Sequence, residues 1–158
     1  MSKEQISIDR LCCEADSVKL LLNLNNTIFI GQVTYDQNQI KQLFNQCKIF
    51  VLSVNRTPVG YVAIGGCYNI FTKSVVSTIV SIGVLKEYRS RGFGTVLLKY
   101  AININGNLDL YLNVREENKQ LQKLYGSQGF QIVGNIEKYY KFPSGMETAT
   151  CMIRKGKN

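Results

Sequence analysis

Histidine and tryptophan are absent from the 158 residues of the chain, and proline occurs only twice, at Pro58 and Pro143. Without histidine there is no Ser-His or Cys-His nucleophile pair, which argues against hydrolases built on a catalytic triad. The five cysteines are odd in number and show no C-x-x-C spacing. Neither a disulfide framework nor a zinc site is indicated, and we expect reduced thiols and no bound metal.

Long apolar runs and linker-like tracts are also missing. No apolar run approaches the ~20 residues needed to span a bilayer, and no Ser/Gly-rich tract, charge block or internal repeat marks a boundary between domains. With 45% hydrophobic and 19% charged residues, the chain has the amino-acid composition of a globular domain that buries a hydrophobic core. We therefore expect a single domain over residues 1–158, located in the cytoplasm and without a membrane partner.

Acidic residues are few, since 19 lysines and arginines stand against 11 carboxylates, for a formal net charge of +8. Such an excess favours a polyanionic partner, either nucleic acid or a cofactor rich in phosphate. Charge alone does not choose between them, because part of it lies in the terminal sequence "IRKGKN". No aromatic-rich RNA-binding strand or helix-turn-helix pattern accompanies the charge, so we expect no specific binding of nucleic acid.

Strand and helix patterns alternate along the chain and predict an α/β domain with a mixed sheet. The runs "KIFVLSV" and "VGYVAIGG" flank a short turn sequence, residues 55–58, which predicts a hairpin. Asp36 is placed to cap the helix that follows it. A later helix, directly after two glycines, is predicted to bury one stripe of side chains: Val96, Leu97, Tyr100, Ala101 and Ile104.

The segment "IGVLKEYRSRGFGTVLLKYA" passes from an apolar strand through two arginines and two glycines straight into that helix. Gly92 and Gly94 lie where free backbone N–H groups and the positive helix end favour an anion. Arg89 and Arg91 add charge. A Walker A loop is absent, and Leu97 occupies a position where a dinucleotide fingerprint needs glycine or alanine. The loop by itself leaves a phosphate site and an ordinary tight turn both open.

The R-x-x-G-x-G turn resembles the acetyl-CoA pyrophosphate motif of the GNAT acyltransferase superfamily. The preceding "IGVL" resembles the strand that leads into the motif. A second family motif is matched in order and spacing by Val114, Asn118, Leu124-Tyr125 and Gly129-Phe130. Together the two motifs cover residues 79 to 130. The resemblance implies a mixed, mostly antiparallel sheet of about seven strands flanked by about four helices.

Within that superfamily the chain is most similar to protein N-terminal acetyltransferases, both the bacterial ribosomal-protein type and the eukaryotic type. The segments that carry this likeness are "FIGQVTYDQNQIKQLF" and "GNIEKYYKFPSGMETATCMIRK". The implied reaction transfers acetyl from acetyl-CoA to the α-amino group of a peptide or protein. The implied partners are that substrate and the ribosome, with the protein acting as a monomer or as a subunit of a larger acetyltransferase complex.

The resemblance also implies roles for individual residues. The backbones of Val84 and Leu85 would hold the pantetheine arm, and Asn118 would contact it. Tyr125 would lie beside the thioester sulfur as general acid, because a phenol with a pKa of ~10 is protonated at neutral pH. Without the motif, Tyr125 would be read as packing on a helix face. The turn would hold the pyrophosphate through Arg89, Ser90, Arg91, Gly92, Phe93, Gly94 and Thr95.

A general base is not assigned by the sequence. Asn113 stands where relatives commonly carry glutamate or histidine, and asparagine takes no proton at neutral pH. Thr78 stands where another relative has tyrosine. Asn113 is retained as a candidate catalytic residue that holds the substrate or a water. An α-amine with a pKa of ~8 is partly neutral near pH 7 and needs a weaker base than a lysine side chain with a pKa of ~10.4, which favours N-terminal substrates. The opposing interpretation is that the missing base marks a slow or inactive member of the superfamily.

The peptide entrance is predicted to be apolar and aromatic, which favours a hydrophobic first side chain. Acetylation of a small amine or of lysine is an alternative on the same fold, disfavoured by the shortage of carboxylates. A non-catalytic acyl-CoA-binding module is a second alternative, motivated by the missing base. The residues predicted to line the entrance are Phe29, Val33, Tyr35 and Tyr139.

Overall fold

The computed structural model describes residues 3–32 and 34–157, and in these residues the strands form one seven-stranded sheet in the order β1-β2-β3-β4-β5-β7-β6. Only the β4–β5 pair is parallel. The strands are β1 Ile6–Leu11, β2 Cys47–Val54, β3 Thr57–Asn69, β4 Ser74–Val84, β5 Leu110–Arg115, β6 Gln131–Phe142 and β7 Gly145–Arg154. The helices are α1 Ala15–Ile28, α2 Gln37–Gln46, α3 Phe93–Asn105 and α4 Lys119–Ser127. The predicted mostly antiparallel α/β fold is confirmed.

Helices cover both faces of the sheet. Strand β2 sends alternate side chains to opposite clusters, with Ile49 and Val51 packed beneath α1 and α2, and Phe50 and Leu52 packed beneath α3. Because both faces are buried, this strand reads in the sequence as a continuous apolar run rather than an alternating one. The sheet is therefore the middle layer of three.

Two predicted helix features have different outcomes. Asp36 caps α2 as expected: its Oδ1 accepts from Gln39 N at 2.8 Å, and the Gln39 side chain accepts from Asp36 N at 2.8 Å, a capping box. The predicted stripe of α3 is wrong at Val96 and Ile104, which are 37% and 40% exposed. Packing onto the sheet turns inward a different set of α3 side chains: Phe93, Leu97, Leu98 and Ala101.

Strands β4 and β5 pair over only three positions, from Ser77 opposite Leu110 to Ile79 opposite Leu112. Strand β4 continues to Val84 and β5 to Arg115, so the two strands separate beyond this point. An extra residue, Val80, bulges from β4 where the pairing with β3 shifts. We call the gap between residues 80–84 and residues 113–115 the notch.

No helix within the described residues has both the length and the apolar character needed to cross a membrane. Across residues 3–32 and 34–157, no three or more Cys, Asp or Glu side chains cluster in a way that fits a metal ion. All five cysteines are free thiols.

The β2–β3 hairpin turns through Asn55 and Arg56, whose φ angles are 48° and 67°. Two positive φ values are typical of a type I′ turn, which favours Asn-Gly, and the left-handed region costs a side chain about 1–2 kcal/mol. We expect Arg56→Gly to raise the free energy of unfolding in urea by about 0.5–1 kcal/mol, after the entropy cost of glycine.

The control for this variant is Arg10→Gly, which removes an exposed arginine from the neighbouring strand β1. Glycine weakens a regular strand, so the control is expected to lower the free energy of unfolding. A loss of stability in both variants would contradict the assigned turn.

Candidate active site

A cavity of about 440 Å³ lies at the notch. The loop between α1 and α2 forms one wall and the end of β6 forms the other, while β4, β5 and α4 form the floor. Six residues that the sequence analysis singled out line this cavity: Phe29, Tyr35, Asn113, Asn118, Tyr125 and Tyr139. The fold therefore brings residues from four separate segments of the chain into one opening.

The turn before α3, residues 89–95, forms the phosphate loop. In the described parts of the chain, no backbone or side-chain group accepts a hydrogen bond from the N–H groups of residues 90–95. Those of Phe93, Gly94 and Thr95 are free because they begin a helix, and the N-cap residue, Gly92, has no side chain to receive them. Six consecutive donors at a positive helix end form a site for an anion.

The two loop glycines are required for different reasons. Gly92 has a φ of 85°, a conformation that side chains rarely adopt. Gly94 has no positive φ, and a Cβ built on it meets no protein atom within 4 Å. Neither strain nor packing accounts for Gly94, so the open space beside it is the feature that glycine preserves.

The loop arginines are already engaged. Arg89 donates through Nε to Val84 O at 2.9 Å and through Nη2 to Ile28 O at 3.0 Å. It thereby ties the end of α1 to the end of β4, where a cation also complements the helix dipole. Arg91 pairs with Glu4 and lies over the Phe93 ring, 5.1 Å from its centroid. The Arg89 guanidinium thus connects α1 to β4 and also places a positive charge beside the loop.

The end of β4 presents backbone groups to the notch. Leu85 N donates to Val59 O at 2.8 Å, so this amide is used by β3. Hydrogen bonding alternates along an antiparallel pair, which turns the N–H of Val84 away from β3 and toward the notch. Of the two backbone positions expected to hold a ligand, Val84 directs its N–H group away from β3 in the described structure, whereas that of Leu85 is bound to Val59 O.

Helix α4 contributes Asn118 and Tyr125 to the floor. Asn118 is the N-cap, and its Oδ1 accepts from Leu121 N at 3.1 Å, which leaves the amide NH2 as a donor. Tyr125 is buried against Phe130, with ring centroids 6.0 Å apart. Burial raises the pKa of Tyr125 to about 12, so its hydroxyl stays protonated at neutral pH.

Asn113 lies on β5 with its Oδ1 buried and without a hydrogen-bond partner in the described structure. Thr78, on β4, donates its hydroxyl proton to Tyr111 O at 3.1 Å and is buried. Neither side chain takes a proton at neutral pH. Neither of the two positions at which the family resemblance implies a base carries a carboxylate or an imidazole, and of the two only Asn113 lines the cavity.

Tyr35 and Tyr139 lie at the mouth of the cavity, on opposite walls. Burial raises the pKa of Tyr35, and the neighbouring Tyr139 raises it further. Tyr139 packs edge to face on Tyr140, with centroids 4.9 Å apart. Phe29 lies behind them, edge to face with Tyr61 at 6.5 Å. Val33, also predicted for this entrance, lies outside the described residues.

Sequence analysis missed a chain of hydrogen bonds beneath the mouth. The Tyr61 hydroxyl donates to Asn25 Oδ1 at 2.6 Å and accepts from Ser81 Oγ at 2.7 Å. Asn25 Nδ2 donates to Asn26 Oδ1 at 3.1 Å, and Asn26 also holds the backbone N–H and C=O of Tyr35 at 3.1 and 3.0 Å. This network connects β4 to the mouth. One signal for it exists: Asn25 is a polar residue on the buried stripe of α1.

Comparison with known proteins gives a family. The family model "Acetyltransferase (GNAT) family" matches residues 18–130. N-alpha-acetyltransferase 50 of Danio rerio is 30% identical over 130 residues, which cover 79% of this chain and 75% of that protein. N-alpha-acetyltransferase RimI of Mycobacterium tuberculosis is 39% identical over 70 residues, 44% of each chain. This chain also matches the "Probable N-acetyltransferase san" of Drosophila melanogaster, but the match covers only 36% of that protein's length.

Solved structures agree on the fold. The ribosomal-protein-S18-alanine N-acetyltransferase from Escherichia coli superposes with a TM-score of 0.78 at 21% identity, over 95% of this chain and 93% of that one. Arabidopsis thaliana NAA60 in complex with acetyl-CoA gives 0.81 at 15% identity, over 94% and 97%. The family model matches most of the chain and defines an acetyltransferase. More particularly, the chain belongs to the acetyltransferase (GNAT) family, an N-acetyltransferase class whose co-substrate is acetyl-CoA.

The buried network yields a stability test. Tyr61→Phe removes the hydroxyl that joins Asn25 to Ser81 and leaves buried polar atoms without partners. We expect the free energy of unfolding in urea to fall by about 1–3 kcal/mol. Tyr111→Phe is the matched control, because the Tyr111 residue is also buried, while its hydroxyl oxygen is not fully enclosed and makes no hydrogen bond in the described structure. Equal losses in the two variants would show that the network does not stabilise the fold.

Proposed function

We propose that residues 1–158 form one acetyltransferase domain that transfers acetyl from acetyl-CoA to the α-amino group of protein N-termini. The observation that carries the proposal is a single cavity that joins the notch to a mouth lined by Tyr35 and Tyr139. The named relatives support the substrate class, since two of them are N-alpha-acetyltransferases and one acts on alanine of a ribosomal protein. Action in the cytoplasm and near the ribosome is part of the proposal on the same grounds.

The residues of the phosphate loop fit the diphosphate of acetyl-CoA. The N–H groups of residues 90–95 would bind its oxygens, and the open space at Gly94 leaves room for close approach. The backbone of Val84 and the amide of Asn118 would hold the pantetheine arm. Arg91 adds charge, while Arg89 would act mainly by fixing the ends of α1 and β4.

The proposed chemistry needs one bond made and one broken. The amine nitrogen attacks the acetyl carbonyl, a new N–C bond forms, and the C–S bond breaks as the nitrogen loses a proton and the sulfur gains one. Tyr125 would donate the proton to sulfur as general acid, since its raised pKa keeps it protonated. The first residues of the peptide would contact Phe29, Tyr35 and Tyr139. By resemblance, they would also contact Val33.

Charges at the cavity oppose the alternative of a polycationic substrate. Within the described structure, no Asp or Glu lines the cavity, whereas Arg115 and Lys141 do. Arg115 is paired with Glu147 through two hydrogen bonds of 2.5 and 2.8 Å. A polyamine or aminoglycoside would therefore find no carboxylate to bind, and an uncharged peptide terminus is the better fit.

The test is release of free thiol from acetyl-CoA with three sets of acceptors. One set consists of peptides with free N-termini, the second of the same peptides blocked at the N-terminus and carrying lysine, and the third of polyamines. The proposal expects turnover with the first set. Turnover confined to the second or third set would show that the substrate is a lysine side chain or a polyamine instead. Binding of acetyl-CoA with no turnover would indicate a binding module.

Gly94→Ala tests the phosphate loop. A Cβ at Gly94 meets nothing in the protein, so the free energy of unfolding should change by less than about 1 kcal/mol. The same Cβ intrudes on the space proposed for the diphosphate, so we expect the Kd for acetyl-CoA to rise about tenfold or more in calorimetric titration.

The matched control for the loop is Gly126→Ala, since a Cβ at Gly126 also meets no protein atom and Gly126 lies in α4 away from the loop. Its Kd for acetyl-CoA should equal that of the wild type. If Gly94→Ala also bound acetyl-CoA as tightly as the wild type, the assignment of the loop would be wrong.

Tyr125→Phe tests the general acid. Loss of a positioned proton donor is expected to lower kcat by about 10²–10⁴-fold, with the Kd for acetyl-CoA nearly unchanged because the ring remains. Wild-type kcat should show no decline below about pH 10, since the pKa of Tyr125 is about 12. Tyr100→Phe, at a ring that packs on Phe50 outside the cavity, is the control. Unchanged kcat in Tyr125→Phe would remove this residue from the mechanism.

A further inference from the structure

The Oδ1 of Asn113 is an acceptor without a donor. It is the one buried side-chain nitrogen or oxygen atom in residues 3–32 and 34–157 that lacks a hydrogen-bond partner. A buried carbonyl left unpaired is unfavourable, and Asn113 lines the cavity. The atom is therefore placed to receive a hydrogen bond from an N–H group of a ligand.

The groups around this atom do not supply a base. The titratable side chains that line the cavity or lie next to Asn113 come from every surrounding element: Tyr35, Arg115, Tyr125, Tyr139, Tyr140, Lys141, Glu147 and Cys151. Burial raises the pKa of Tyr35, Tyr125 and Tyr140. Phenols with raised pKa values stay protonated at neutral pH, and the cationic side chains have no free lone pair with which to accept a proton.

Cys151 and Glu147, on β7, are not available as bases either. Cys151 lies directly opposite Asn113 on β7, and burial raises the pKa of its thiol. It is therefore present as the neutral thiol at neutral pH. Glu147 uses both carboxylate oxygens to bind Arg115. Both of its oxygens are therefore occupied by the guanidinium.

We propose that the site has no protein base and instead binds an amine that arrives already deprotonated, with Asn113 Oδ1 accepting a hydrogen bond from its N–H group. This inference rests on the proposed function and narrows it: the enzyme selects among amines by their basicity. The proton lost from nitrogen after attack passes to solvent through the open mouth. The Asn113 amide orients the amine and takes no proton.

The expected selectivity follows from the neutral fraction of each amine. At pH 7 an α-amine with a pKa of ~8 is about one-tenth neutral, and lysine at ~10.4 is neutral in less than about one molecule in a thousand. The ratio of these fractions is about 200. A site without a base therefore favours N-termini over lysine side chains by this factor before any contact with the peptide is counted.

The test compares the pH dependence of kcat/KM for two acceptors in the wild-type protein. The first is a peptide that begins with glycine. The second is the same peptide beginning with β-alanine, whose amine is more basic because it lies one carbon farther from the amide carbonyl. We expect log(kcat/KM) to rise with unit slope for each acceptor and to bend at that acceptor's own amine pKa, determined by separate titration.

Other pH profiles would separate failure of this inference from failure of the proposed function. A bend at one common pH below both amine pKa values would reveal a protein base and overturn the inference, while acetylation of the N-termini would leave the proposed function standing. Failure to acetylate either acceptor, with acetyl-CoA still bound, would overturn both.

Variants at Asn113 give a second readout. Asn113→Glu installs a base, and we expect it to add a bend at a pH common to both acceptors. Asn113→Leu keeps the branching and the number of side-chain heavy atoms and has no acceptor, and we expect kcat/KM to fall about tenfold or more with the wild-type bends unmoved. Urea unfolding of each variant checks that it is folded. Unchanged kcat/KM in Asn113→Leu would show that this atom does not hold the amine.

Discussion

The separation of β4 from β5 is the constraint on which the rest of the site depends. Three paired positions hold the two strands together, and beyond them neither strand pairs with the other within residues 3–32 and 34–157. In a sheet, unpaired N–H and C=O groups cost free energy unless another partner or water satisfies them. The notch is therefore a place where the fold leaves hydrogen-bonding groups for a ligand. The cavity, the mouth and the phosphate loop are arranged around it.

The elements around the notch are fixed in different ways. Arg89 bonds to carbonyls of both α1 and β4, and Tyr61 connects α1 to β4 through Asn25 and Ser81. These contacts hold the wall that carries Tyr35 at a fixed distance from the strand that carries Val84. The opposite wall depends on the long β6–β7 hairpin. A rigid site of this kind lowers the entropy cost of positioning two substrates.

Sequence reasoning reached the parts of the site that local chemistry determines. The glycines of the phosphate loop, the Asp36 cap and an α/β domain with a mixed sheet follow from local sequence patterns. The family resemblance pointed to the mostly antiparallel sheet and to Tyr125 and Asn118. The network of Tyr61 was missed because its partners are 20 and 36 positions away in the chain. Long-range packing also decided which face of α3 turns inward and that Arg89 binds two backbone carbonyls. Such contacts have no local signature in a single sequence.

Amide hydrogen exchange of residues 90–95, followed by NMR with and without acetyl-CoA, tests the central claim most directly. These N–H groups have no acceptor within the described structure, so they should exchange rapidly in the free protein. The account predicts that saturating acetyl-CoA slows exchange at the loop and at Val84, and leaves the basic segment 154–157 unchanged. Binding of acetyl-CoA without protection at residues 90–95, or with protection confined to the basic segment, would contradict it.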